Sequence, residues 1–103
     1  MAAGGDGLIS VASNEIPHHM RAMVHMVAQG NLDEARQLLY RVLPLLEANF
    51  LETNPAPVKA ALAAMGLIQD VLRLPLVPLS ESRRGPLYQA LKAAGVNLPG
   101  HEA

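Results

Sequence analysis

Apolar residues recur along the chain in two rhythms. Leu8-Ile9-Ser10-Val11-Ala12 is a short, nearly continuous apolar run between Gly7 and Ser13-Asn14, the pattern of a strand buried on both faces in a parallel sheet. Helical spacing follows it, interrupted by proline-rich connections. Met20, Met23, Val24 and Val27 predict a helix opened by Asn14 and Pro17 and closed at Gly30. Asn31 and Glu34 have the layout of a capping box and open a second helix to about Leu51, with Leu38, Leu39, Val42, Leu45 and Leu46 on its apolar face. Pro44 inside that helix has no N–H to give Tyr40, so a kink is predicted at 40–44.

Asn54-Pro55-Ala56-Pro57 forces an extended turn, since a residue before proline is pushed out of the α region. A third helix follows, about Pro57 to Met65, ended by Gly66. Arg73-Leu74-Pro75-Leu76-Val77-Pro78 reads as an irregular connector. Ser80 is placed to cap a last helix that ends at Gly95, with Leu87, Leu91 and Ala94 inward and Gly85-Pro86 weakening its first turns. Leu38, Leu39, Leu45, Leu46, Leu62 and Leu91 are the expected shared core, and residues 96 to 103 read as a tail. There is no internal repeat.

The lone strand decides how the rest is read. Both rows of its backbone N–H and C=O groups need neighbouring strands, and no second strand is legible in the sequence. Its partners are therefore expected from outside these residues.

Composition narrows the function without naming it. The chain has 103 residues, half of them apolar, and a formal net charge of −1 with scattered Lys and Arg. That leaves no basic face for nucleic acid. Without cysteine there is no disulfide framework and no thiolate metal site, which fits a reducing cytosol. No apolar run has the length of a membrane span, and Met1-Ala2-Ala3-Gly4-Gly5 lacks the pattern of a secretory signal, so a cytoplasmic protein is expected.

Candidate chemistry is sparse. Gly4-Gly5-Asp6-Gly7 precedes its strand, whereas a phosphate cradle needs glycines between strand and helix, so a turn is expected. Of His18, His19 and His25, His18 and His25 lie two helical turns apart, too far to share an ion, so surface or interface histidines are expected rather than a metal site. Met20, Met23, Met26 and Met65 read as deformable core filler. Asn54 reads as a turn starter, and Lys59 as an ordinary lysine, although Schiff-base chemistry would use a desolvated amine.

Several runs together resemble a known family. Gly4-Gly5-Asp6-Gly7-Leu8-Ile9-Ser10-Val11-Ala12-Ser13-Asn14 resembles the last barrel strand of the dihydrodipicolinate synthase and N-acetylneuraminate lyase family. Gly30-Asn31-Leu32-Asp33-Glu34-Ala35-Arg36, Asn54-Pro55-Ala56-Pro57-Val58-Lys59 and Arg73-Leu74-Pro75-Leu76-Val77-Pro78-Leu79 follow in the family's order, as does Leu91-Lys92-Ala93-Ala94-Gly95. The likeness covers Gly4 to about Leu98 and is nearest to the synthase branch.

The resemblance implies an α/β class TIM barrel with extra C-terminal helices, in which a lysine forms a Schiff base with pyruvate for aldol addition. In the synthase branch the aldehyde is aspartate semialdehyde and the product feeds lysine and diaminopimelate synthesis. A barrel of this type takes roughly 250 residues. This chain would then be a mostly helical C-terminal fragment: residues 1–30 the last strand–helix unit, 31–98 a C-terminal helical region, 99–103 a tail.

The family's Schiff-base lysine, catalytic tyrosine and proton-relaying threonine have no counterpart here, and Lys59 belongs to another of its motifs. No catalytic residue, metal or cofactor is expected. The resemblance does imply one substrate contact, Ile9, acting on a pyruvate-type keto acid through its backbone. Ser10, Ala12, Ser13 and Asn14 would lie near that mouth. The expectation is an incomplete lyase, from a truncated frame or split gene, inactive alone, whose partner is either its own copy or the missing N-terminal barrel. The alternatives are a helical oligomerisation module derived from the fold, or part of a sialic acid, keto-sugar acid or hydroxyproline-pathway relative.

Overall fold

The computed structural model describes residues 1 and 3–100. A 3₁₀ turn at Val11–Asn14 precedes four helices: α1 (Pro17–Ala28), α2 (Leu32–Ala48), α3 (Ala56–Ala64) and α4 (Glu81–Ala93). The expected strand is absent among the described residues. Its second half is coiled into the turn, and Ser10, just before the turn, keeps extended angles, φ −145° and ψ 137°. The amides of Leu8, Ile9 and Ser10 donate to no carbonyl among the described residues. An extended segment without neighbours has no ladder to hold it, so the pattern of a buried strand is present without the sheet.

Each helix forms where its apolar positions align. Pro17 starts α1, where its missing N–H is unneeded. Asn14 does not cap it; its side-chain amide donates to the Val11 carbonyl at 3.0 Å and closes the preceding turn. In α2, Ala35, Val42, Leu45 and Ala48 fall on one face and are buried. Asp33 and Glu34 sit in its first turn, favourably placed against the helix dipole. The Asn31 side chain makes no capping bond, so the capping box is not formed. The helix stops at Ala48 rather than Leu51 and is continuous through Pro44, which lies on its exposed side.

α3 is small and buried nearly all round, through Ala56, Pro57, Val58, Ala60, Ala61 and Ala64. Alanines let it approach its neighbours closely. α4 continues through Gly85-Pro86, and Ser80 precedes it without a capping bond of its own to the helix. Gly95 closes it at φ +87°, against Arg41 of α2, whose guanidinium lies 2.8 Å from where a Cβ would stand. Arg41 also donates to the Ala93 carbonyl at 3.4 Å, a cation at a helix C-terminus.

One apolar cluster joins the turn, α1, α2, α3 and α4, centred on Val42, Leu45, Leu87, Leu91 and Ala94. Of the expected core, Leu45 and Leu91 are buried and Leu38 and Leu46 pack partly against them, whereas Leu39 is exposed. The expected tail begins too early: Leu98 is in the core and Val96 packs on it, because α4 turns back at Gly95 and returns the chain across the cluster. Pro99 and Gly100 are exposed, and the rest of the expected tail, 101–103, lies outside the described residues.

Candidate functional site

The segment expected at the barrel mouth is open at Ile9 and closed at Ala12, which is buried. The Ile9 side chain is fully exposed, at 106% of its reference area, and Leu8 is half-exposed. Beside them an open groove of about 450 Å³ is lined by Gly7, Leu8 and Ser13 on one side and by Pro17, Met20, Arg21 and Val24 of α1 on the other. Ile9 is not among its lining residues. The exposed backbone of Leu8 and Ile9 and the Ser10 amide, which donate to no carbonyl among the described residues, can accept a neighbouring strand or a small polar ligand, whereas the Ser10 carbonyl is taken by the Ser13 amide at 3.2 Å.

Immediately behind the turn the surroundings change. Glu15 and Asn49 are 3% and 1% exposed, the two buried polar side chains of the core. Asn49 stands just past α2 and meets the Glu15 carboxyl at 2.6 Å, Nδ2 to Oε1. Burial raises Glu15 from an ordinary carboxyl to about 7, the Asn49 amide pulling more weakly the other way. Glu15 Oε2 and Asn49 Oδ1 are buried without a hydrogen-bond partner. No sequence feature marks this pair, since Glu15 follows Ser13-Asn14 and looks like part of a solvated turn.

A second polar group pins the connector between α3 and α4. Arg84 of α4 donates to Asp70 at 2.9 Å and to the Leu79 carbonyl at 2.8 Å. Glu52 accepts from the Ser80 hydroxyl and from the Ser80 amide at 3.3 Å. The Ser80 hydroxyl holds the Glu52 carboxyl below the usual range, helped by its amide and by Arg83 and Arg84. Lys59 Nζ donates to the Val71 carbonyl at 2.5 Å, tying α3 to the same connector.

The other candidates are not brought together into a centre. His18 and His25 are exposed on α1, and no group of three metal-ligating side chains occurs among the described residues. Gly4 has φ +101° and donates to the Met1 carbonyl, a turn with no helix start beside it. Met20 is buried and Met23 and Met65 pack against the core, as filler. Asn54 is exposed in a turn and joined to Pro55 by a cis peptide bond. No helix of the described residues is long and apolar enough to cross a membrane.

Comparison with known proteins adds what the side chains alone do not. The 4-hydroxy-tetrahydrodipicolinate synthase of Chlorobium phaeovibrioides is 48% identical over 96 residues, 93% of this chain and 32% of that protein. The crystal structure of dihydrodipicolinate synthase from Thermotoga maritima is 48% identical and superposes with a TM-score of 0.90, over 93% of this chain and 32% of that one. The chloride-inhibited dihydrodipicolinate synthase of Acinetobacter baumannii, solved in complex with pyruvate, is 42% identical with a TM-score of 0.86, over 91% of this chain and 32% of that one. The chain thus spans about a third of the length of the relatives it matches. The model of the dihydrodipicolinate synthetase family matches residues 1–94, and the chain belongs to that family.

Proposed function

We propose that residues 1–98 form the closing segment of a 4-hydroxy-tetrahydrodipicolinate synthase, a cytoplasmic, pyruvate-dependent lyase acting with aspartate semialdehyde, and that these 103 residues alone perform no aldol chemistry. The observation that carries this reading is the asymmetry of the match: nearly all of this chain aligns with only a third of its synthase relatives. In the complete barrel, residues 1–30 supply the last strand–helix unit and 31–98 the helices packed behind it. The backbone at Ile9 is then the pyruvate contact.

Schiff-base catalysis needs an amine held beside the keto acid. The chain has two lysines, Lys59 and Lys92. Lys59 is engaged by the Val71 carbonyl, away from the groove beside Leu8. Incubation with pyruvate and borohydride followed by mass measurement tests the reading. The unmodified mass is expected, and a stable pyruvyl adduct on either lysine would contradict it.

A second reading, a helical module that self-associates, is favoured by the apolar side chains Leu32, Leu39 and Leu43 exposed along one face of α2. Discrete homo-oligomers in size-exclusion mass measurements, unchanged by the remainder of a synthase barrel, would support it over the first.

A further inference from the structure

The pair behind the turn carries an inference that does not depend on the proposed enzyme activity. Among the described residues Glu15 is the one carboxylate-bearing residue buried in the core, and none of their cations contributes to holding its charge. Its contact with Asn49, 2.6 Å, is shorter than the ordinary N–H···O range and falls within that of O–H···O. A half-turn of the Asn49 amide exchanges its oxygen and nitrogen. In that arrangement a protonated Glu15 donates to the amide carbonyl, which matches both the length and the burial. Oε2 has no hydrogen-bond partner among the described residues in either form, and a bare oxygen costs more in the core on a charged carboxylate than on a neutral carboxyl.

The two residues join separate parts of the chain. Glu15 directly follows the Val11–Asn14 turn, its amide bonded to the Ala12 carbonyl at 3.0 Å, and Asn49 directly follows α2, its amide bonded to the Leu45 carbonyl at 3.0 Å. The contact spans 34 positions of sequence. We propose that Glu15 and Asn49 form a pH-sensitive latch between the turn and the C-terminal end of α2, closed while Glu15 holds its proton and weakened when it loses it.

Among the titratable groups on the packed elements, those nearest the pair in sequence are His18 and His19 of α1 and Glu47 of α2, and Lys59 is the one on α3. His18 and Glu47 are exposed, His19 is half-exposed, and Lys59 donates to Val71. What acts on Glu15 is its burial and the Asn49 amide.

Carbon-13 NMR of the Glu15 side-chain carboxyl in the wild-type chain tests the latch without any substitution. Titration centred near neutral pH is expected, and a midpoint in the ordinary carboxylate range would overturn the proposal. Chemical denaturation of wild type and Glu15→Gln between pH 5 and 7 is the second arm. The wild-type unfolding constant should rise by up to about ten-fold per pH unit more than that of the variant. Every other side chain is the same in both proteins, so the difference in slope belongs to Glu15. Equal pH slopes in the two proteins would also overturn the latch. Should Glu15→Gln not fold, the wild-type carboxyl titration decides alone.

Discussion

The two ends of the apolar cluster differ in how finished they are. Between α2 and α4, Val42, Leu45, Leu87 and Leu91 are wholly buried, and Leu98 returns to cover them. At the start of the chain, Leu8 and Ile9 have the same apolar character but are exposed, and their backbone amides donate to no carbonyl among the described residues. Composition does not separate these regions; the availability of neighbours does. Helices satisfy their backbone groups internally and can close a core among themselves, whereas a strand depends on another strand. The finished end is therefore what this chain builds alone, and under the proposed function the unfinished end is what the rest of a synthase barrel completes.

The largest effect should come from hollowing the finished end. Leu87→Ala should cost about 3 kcal/mol in chemical denaturation, a cavity in a place with no room to collapse. A loss under about 1 kcal/mol would mean that the helices are not packed as described.

Next comes the pH dependence of the latch, which ties the two ends together. Glu15 rises from 4.5 to about 7 on folding, so the folded chain holds a proton that the unfolded chain has released between those values. Stability is then fully present below pH 4.5 and declines as pH rises toward 7, by up to about 3 kcal/mol. Denaturation midpoints measured across that window check the sign, and a rise with pH attributable to Glu15 would refute it.

A smaller effect sharpens the account of the connector. Asp70→Asn weakens the half-buried contact with Arg84 and should cost about 1 kcal/mol, read as a lower thermal midpoint. Smallest of all, Ile9→Asp should change the stability of this chain by less than about 0.5 kcal/mol, since its side chain touches solvent alone. A large loss there would show the open end to be part of the core and erase the contrast.

Much of this division was legible in the sequence, because helices announce themselves by spacing and by their stops. The glycines at 30, 66 and 95 end their helices at positive φ, as expected of residues free of a Cβ. The four helices lie close to their expected spans. The caps were less legible. Asn14, Asn31 and Ser80 have suitable side chains, but Asn14 bonds within its own turn and Ser80 turns to Glu52. A cap depends on competing local partners that spacing does not reveal.

Residues 8–12 show a different limit. Their pattern predicts a strand that is absent among the described residues, and a pattern does not supply the partner strands it needs. Leu98 was hidden by lying beyond the last helix, and Glu15 by a polar neighbourhood that resembles a solvated turn. The family itself was readable from motif order, whereas the role of Ile9 rests on resemblance, since nothing in its own chemistry singles it out.

The account turns on the open edge at Leu8 to Ser10. Amide hydrogen exchange of these residues, compared with Leu87 to Leu91, measures it directly, first in the chain alone and then after adding the N-terminal two-thirds of the Thermotoga maritima relative. The account predicts slow exchange at Leu87 to Leu91 in both samples, and at Leu8 to Ser10 rapid exchange alone and protection in the mixture. Protection of Leu8 to Ser10 in the isolated chain, or none after a complex has formed, would contradict it.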